Sequence, residues 1–141
     1  MDKLTKEQRR KNMQAIRNKG TKAEKLLAKA LWTNGHRYRK NNTTVFGKPD
    51  LTFKKLKIAI FVDSEYFHGK DWETNKHRIH TNQEFWWTKI ESNIKRDKTV
   101  GDKLTSDGWK VLRFWDTEIQ KKIIYCIAQI ESEIKKREND Y

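Results

Sequence analysis

The sequence predicts an α/β domain, in which a mixed β-sheet is flanked by helices, preceded by a basic N-terminal helical arm. Two observations support this fold class. First, stretches with apolar residues at helical spacing alternate with short apolar runs of strand length. Second, the sequence has one proline and no low-complexity linker, so nothing in it indicates an internal domain boundary. We therefore expect an arm at residues 1–20 and a single domain at residues 21–141, long enough to bury a sizeable core.

The helices are predicted from apolar spacing and from their start and stop signals. Thr21 to Glu24 and Thr81 to Glu84 are capping boxes, in which the first side chain and the glutamate bond each other's backbone N–H groups. Gly35 and the pair Asp107-Gly108 are stop signals. The predicted helices lie within residues 1–20, at 21–35, at 81–106 and at 118–137.

The strands are predicted at residues 36–41, 51–53, 56–62 and 109–115. The second and third form a hairpin that turns at Lys54-Lys55. Beyond Lys57 the third strand is apolar on both faces, as expected of a central strand covered on each side. Residues 64–80 have no clear period and are predicted to be a long loop.

The charge of the chain indicates a polyanionic partner. Lys and Arg total 32 against 19 Asp and Glu, a net charge of +13. Nucleic acid is then favoured over an acidic membrane, and the alternative is a solvated basic surface with no special partner. No stretch approaches the roughly 18 apolar residues that span a bilayer, so we expect a cytoplasmic protein without a membrane partner. The single cysteine, Cys126, excludes an intramolecular disulfide and a cysteine-rich zinc site.

Acidic residues gather at one end of the predicted hairpin. Asp50 begins one strand and Asp63 ends the other, so both lie at the same side of the sheet, close to Glu65 and His68. Neighbouring carboxylates repel unless a cation lies between them, and such hard oxygens suit Mg²⁺, which also bridges to phosphate. This pattern predicts metal-assisted hydrolysis of a phosphodiester, with His68 accepting a proton.

Each of these residues also has an ordinary structural interpretation. Asp50 would cap the hairpin after Pro49, His68 would be a loop histidine, and Asp63 and Glu65 would point into solvent. Glu24 belongs to a capping box, or it faces the acidic cluster and contacts the metal through water.

Six blocks together carry a resemblance to a known family. They are KNMQAIRNKGTKAEKLLAKAL, HRYRKN, GKPDLTF, IAIFVDSEYFHG, TNQEFWWTKIESNIKRD and DGWKVLRFWDTEI, colinear from about Arg10 to Ile119. These blocks resemble the very short patch repair (Vsr) endonucleases, relatives of the PD-(D/E)xK nucleases. The resemblance implies a restriction-endonuclease-like fold and a Mg²⁺-dependent bacterial enzyme of the nucleoid. Such enzymes nick DNA 5′ to the thymine of a T:G mismatch. We expect a monomer, with mismatch-repair proteins as further partners.

The resemblance also implies roles for residues of the acidic cluster. Asp50 matches the metal-binding aspartate, and the backbone carbonyl of Val62 matches the other protein contact to the metal. His68 matches the catalytic histidine that acts on the attacking water. Asp63 holds a position of catalytic importance, and Glu24 matches a glutamate that supports the site.

Aromatic and basic side chains complete the expected DNA contacts. Tyr66, Phe67 and Trp86 match positions where the family inserts aromatic rings beside the mismatch, which unstacks a base step and favours mismatched pairs. The alternative for these rings is core packing. The basic arm matches a segment that embraces DNA, and the further expected DNA contacts are Arg10, Lys11, Asn12, Arg17 and Lys48.

One departure from the family pattern concerns zinc. Relatives hold a structural zinc with three Cys and one His, but the matching positions here are Glu65, Lys70, Trp72 and Thr117. We therefore expect a variant without structural zinc, in which packing of Trp72 and its neighbours holds the loop. Two other functions remain open: a nuclease of the same fold with a restriction or structure-specific target, and a non-catalytic DNA-binding module.

Overall fold

A computed structural model describes residues 21–139 of the chain. Its elements are α1 (Lys22–Thr33), β1 (Arg39–Lys40), β2 (Leu51–Phe53), β3 (Ile58–Asp63), α2 (Trp72–Asn75), a 3₁₀ turn (Lys76–Arg78), α3 (Gln83–Ser106), β4 (Lys110–Trp115), α4 (Asp116–Lys121) and α5 (Ile123–Asn139). The predicted arm, with its expected DNA contacts Arg10, Lys11, Asn12 and Arg17, lies outside the described residues.

The strands form a mixed sheet in the order β1-β2-β3-β4, which confirms the predicted fold class. β2 pairs antiparallel with β1 and with β3, and Leu51 lies opposite Ile60. β3 pairs parallel with β4 along its whole length, from Ile58 opposite Lys110 to Asp63 opposite Trp115. The parallel pair needs a crossover connection, and the long helix α3 provides it.

Alternate side chains of β3 face two different cores, as predicted for a central strand. Ile58 and Ile60 pack with α1, α4 and α5 on one face of the sheet. Ala59 and Phe61 pack on the other face, against Val100 and its neighbours on α3. The buried thiol of Cys126 belongs to the first core, and burial raises its pKa to about 11, so it behaves as a small hydrophobe.

The helix boundaries depart from the predictions at two places. Thr81 does not cap α3, because Asn82 precedes that helix in a left-handed conformation and makes no side-chain cap. The predicted last helix is interrupted at Lys122, whose φ of −134° separates α4 from α5. The first capping box, by contrast, is present: Thr21 N–H donates to Glu24 and Glu24 N–H donates to the Thr21 hydroxyl.

The segment predicted as a long loop contains the short helix α2 and the 3₁₀ turn. Its Trp72 and His77 rings pack edge-on against Trp87 of α3. Within residues 21–139, no helix is both long and apolar enough to cross a bilayer.

Candidate active site

A cleft of about 620 Å³ opens where β2 begins and β3 ends. The sheet brings the two ends together because the hairpin between them turns at Lys54, as predicted. Seven predicted site residues line this cleft: Glu24, Lys48, Asp50, Val62, Asp63, Phe67 and His68.

Asp50 is held from the backbone of the neighbouring strand. Val62 N–H donates to Asp50 Oδ2 at 2.7 Å, so the hairpin fixes the carboxylate's position. Burial raises the pKa of Asp50 to about 7; the Val62 hydrogen bond opposes this rise, and the charge of Glu24 adds to it. Glu24 is buried in the capping box and also shares a hydrogen bond with Asp50, so it both caps α1 and faces the acidic cluster.

Asp63 is buried and paired with an arginine from the adjacent parallel strand. Arg113 Nη1 donates to both carboxylate oxygens of Asp63, at 3.2 and 3.1 Å. The guanidinium also lies over the Phe61 ring at 4.1 Å and donates to the carbonyl of Asp97. Burial raises the pKa of Asp63, while the charges of His68 and Arg113 oppose that rise. The solvent-facing alternative for Asp63 is therefore wrong.

His68 is oriented by an acid from helix α3. His68 Nδ1 lies 2.6 Å from Asp97 Oδ2 and 3.8 Å from Asp63 Oδ1. An Nδ1–H that donates to Asp97 leaves Nε2 to accept a proton. Burial lowers the pKa of His68, but the Asp97 hydrogen bond and the charges of Asp63 and Asp97 outweigh it, so the pKa is raised above its ordinary value.

Two groups of ligand atoms in the cleft could hold a divalent metal. Ligand atoms of Asp63, His68 and Asp97 lie within 4.8 Å of one another, but Arg113 already neutralises part of that charge. Asp50 and Glu24 form the second group. Glu24 is buried, Asp50 is half-buried, and the two carboxyls share a hydrogen bond, so a hard cation would relieve their mutual repulsion.

Basic side chains at the rim give the cleft a positive entrance. Lys22, Lys48, Lys89 and Arg96 all line it, from α1, the segment before β2, and α3. Lys48 is exposed, and its contact to DNA stays a prediction. Such a rim attracts the phosphate backbone of a nucleic acid.

An aromatic patch, Tyr66, Phe67, Phe85 and Trp86, adjoins the cleft. Tyr66 stands edge-on to Phe67 and to Trp86, with ring centroids 5.1 and 5.8 Å apart. Tyr66 is 47% exposed, but Phe67 is only 8% exposed. Phe67 is therefore the buried member of the patch, and Tyr66 presents a more accessible ring.

Comparison of the chain with known proteins identifies its family. The profile described as "DNA mismatch endonuclease Vsr" matches residues 1–74, more than half of the chain. This chain belongs to the Vsr family. It is therefore a DNA endonuclease, and the resemblance stated from the sequence is confirmed.

Two of the relatives match nearly the entire chain, and a third matches most of it. The type II nicking enzyme V.HpaIIP of Haemophilus parainfluenzae is 53% identical over 138 residues, 97% of this chain and 98% of that protein. The type II nicking enzyme V.NmeDIP of Neisseria meningitidis serogroup C is 51% identical, over 98% and 93%. The DNA mismatch endonuclease Vsr of Escherichia coli (strain K12) is 33% identical over 119 residues, 84% of this chain and 74% of that protein.

Three residues of this Vsr-family site were not identified from the sequence. Asp97 and Arg113 complete the cluster around His68, and Phe85, which is 57% exposed, stands edge-on to Trp86. An arginine inside the apolar run KVLRFW was the available signal for Arg113, because an unpaired charge is costly in a covered strand. Asp97 gave no comparable signal, since charged residues are frequent throughout α3.

Glu65 contacts two of the other three positions that match the family's zinc ligands. Glu65 Oε1 accepts from Lys70 Nζ at 3.1 Å and from the Thr117 hydroxyl. Trp72 instead packs on Trp87. Glu65 thus does not line the cleft, unlike Asp50 and Asp63, with which it was grouped in the sequence.

Proposed function

We propose that this protein nicks one strand of duplex DNA 5′ to the thymine of a T:G mismatch, in a Mg²⁺-dependent reaction that starts very short patch repair. The main support is the convergence of Asp50, Asp63 and His68 in one basic-rimmed cleft of a Vsr-family endonuclease. The E. coli relative is named a DNA mismatch endonuclease.

The residues of the cleft fit a magnesium ion. Asp50 would hold it together with the carbonyl of Val62, and Glu24 would act through water. The two crowded carboxyls give the site its charge, and few protein ligands suit an ion that keeps most of its waters. When bound, Mg²⁺ supplies charge stabilisation at the scissile phosphate. Asp63 is a weaker candidate ligand, because Arg113 occupies both of its oxygens.

Proton transfer is the task of His68 in this proposal. Asp97 holds Nδ1, which orients the ring and leaves Nε2 to take a proton from the attacking water. Asp63 and Arg113 keep Asp97 and the ring in place from the sheet side. The Lys48 ammonium and its neighbours at the rim would hold the phosphates on either side of the cut.

Mismatch selectivity is assigned to the aromatic patch. Tyr66, with Phe67 and Trp86 beneath and beside it, would insert at a base step that is already weakly stacked. Because a mismatched pair costs less to unstack than a paired one, insertion favours T:G over T:A. We further propose that the enzyme acts as a monomer on the bacterial chromosome in the cytoplasm, with mismatch-repair proteins as partners.

Two observations favour a second class of DNA target. Phe67 is buried and the relatives with the highest identities quoted above are named type II nicking enzymes rather than mismatch endonucleases. A nicking enzyme directed to a paired sequence or to another DNA structure would keep the same catalytic cleft. The non-catalytic alternative, a DNA-binding module, does not agree with membership in an endonuclease family.

The test is a cleavage panel on oligonucleotide duplexes that differ only at one base pair: T:G, T:A, C:G and other mismatches, each with Mg²⁺ or with a chelator. We expect a single-strand nick 5′ to the thymine, in the T:G duplex and only with Mg²⁺. Equal cutting of the T:A duplex would reject the mismatch assignment, and undiminished cutting in chelator would reject the metal.

A further inference from the structure

Side chains outside the cleft tie the loop that carries Tyr66 and His68 to the beginning of α4. Glu65 accepts hydrogen bonds from Lys70, at the other end of that loop, and from Thr117, in α4. The backbone N–H of Lys70 also donates to the carbonyl of Glu65, which closes the loop on itself. One carboxylate therefore joins the two ends of the loop to a helix more than fifty residues later in the chain.

A second carboxylate strengthens the same junction. Asp116 Oδ1 accepts from the backbone N–H of Thr117 at 2.8 Å and from that of Glu65 at 3.4 Å. On the far side, Asn75 of α2 donates to the carbonyl of Lys70 at 2.7 Å. The contacts thus run continuously from α2 through the loop to α4.

We propose that Glu65, Lys70 and Thr117 form a latch that positions the aromatic patch and so determines mismatch discrimination. This inference rests on the proposed function. Tyr66 follows Glu65 directly, so a shift of the Glu65 backbone changes the position of the exposed ring. Neither Glu65 nor Thr117 lines the cleft, so they are positioning residues and not catalytic ones.

The hydroxyl of Thr117 contributes more to the latch than the lysine. The Glu65 and Lys70 side chains are 35% and 37% exposed, and an ion pair so exposed is weakened by solvent. A hydrogen bond from a partly buried hydroxyl to a carboxylate is screened less. The Thr117 hydroxyl first, and then Lys70, hold the pKa of Glu65 below its usual range, so the carboxylate stays ionised in neutral buffers.

The decisive comparison is Thr117→Val with Thr117→Ser in the full-length chain. Valine keeps the shape and removes the hydroxyl, whereas serine keeps the hydroxyl. We expect Thr117→Val to lower the ratio of kcat/KM on T:G duplex to kcat/KM on T:A duplex about tenfold, the effect of one lost hydrogen bond to a charged group. Affinity for fully paired DNA stays unchanged, because the basic rim is untouched, and Thr117→Ser retains the wild-type ratio.

Amide hydrogen exchange of residues 64–70 provides a readout that does not depend on cleavage. Exchange there becomes faster in Thr117→Val and stays at the wild-type rate in Thr117→Ser. Lys70→Met, which keeps most of the stem, gives a smaller change of the same sign, about threefold in the ratio. The matched control is Glu73→Gln, which removes the charge of an exposed carboxylate paired with Lys76 in the same region and changes neither readout.

The outcomes separate the latch from the proposed function. Unchanged exchange and an unchanged T:G to T:A ratio in Thr117→Val would overturn the latch, as would an equal loss in Thr117→Ser. If the wild type cuts T:G and T:A duplexes equally, the mismatch assignment fails, and the exchange comparison alone then supports or overturns the latch.

Discussion

Replacing Asp50 with asparagine distinguishes the effect of this carboxylate on DNA nicking from its effect on the free energy of unfolding. Burial raises the pKa of Asp50 to about 7, from an ordinary value of 3.8. Between these two values the native state binds a proton that the unfolded chain has released, so stability falls as pH rises through this window. Asparagine carries no charge at any pH and can still accept the hydrogen bond from Val62.

The expected magnitude follows from the size of the shift. One pKa unit corresponds to about 1.4 kcal/mol, so a shift of roughly three units sets an upper limit of about 4 kcal/mol. We expect a gain of about 2 kcal/mol for Asp50→Asn above pH 7, since the side chain keeps partial contact with water in the cleft, and almost none near pH 4. Nicking is abolished, because asparagine supplies no charge to hold Mg²⁺.

The assay is urea unfolding at pH 5 and pH 8, with chelator and with Mg²⁺, beside cleavage of the T:G duplex. Mg²⁺ should stabilise the wild type at pH 8 by binding only the native state, and should leave the variant unchanged. Asp102→Asn on α3 is the matched control, because that carboxylate is exposed. Retained cleavage by Asp50→Asn would refute the catalytic role, and a stability difference that does not grow with pH would refute the electrostatic reasoning.

Three further predictions concern the pH profile, the cleft wall and the aromatic patch. Asp97→Asn removes a charge that raises the pKa of His68, so the acidic limb of the kcat/KM profile should move to lower pH; an unmoved limb would mean that His68 is not the titrating base. Gly47→Ala should destabilise the protein by about 1–3 kcal/mol in urea unfolding, because Gly47 has φ +82° and an added Cβ would overlap the Val100 side chain; a neutral result would contradict that packing. Tyr66→Ala should lower T:G discrimination in cleavage assays more than affinity for paired DNA, and the reverse order would argue against insertion.

The hairpin and its acids could be predicted from the sequence because they depend on local rules. The apolar run ending at Asp63 and the turn at Lys54-Lys55 determine which residues share an edge, and the observed pairing of Leu51 with Ile60 agrees. The contact between Val62 N–H and Asp50 follows from that register.

The partners of His68 and Asp63 could not be predicted from the sequence, because these contacts depend on tertiary structure. Asp97 meets His68 only because α3 crosses back over the sheet, and Arg113 reaches Asp63 only because β4 pairs parallel with β3. Neither crossing angle nor register is encoded in the local pattern of α3 or β4.

The prediction of a second capping box was wrong for a related reason. Thr81 and Glu84 have the right spacing, but Asn82 adopts a left-handed conformation that directs the chain from the 3₁₀ turn into α3. The same limit applies to Phe67: sequence indicates an aromatic beside acids in a loop, but only the packing against Trp86 and Tyr66 shows that the ring is buried.

The pairing of Arg113 with Asp63, across fifty positions of the chain, has a consequence for protein synthesis. A nascent polypeptide that has left the ribosome only as far as α3 already contains the hairpin and its acids, yet it lacks Arg113, which pairs with the buried Asp63 carboxylate in the folded protein. The cleft around Asp63 therefore reaches its final arrangement only after β4 has docked against β3, which makes the order of synthesis the order in which the site is completed.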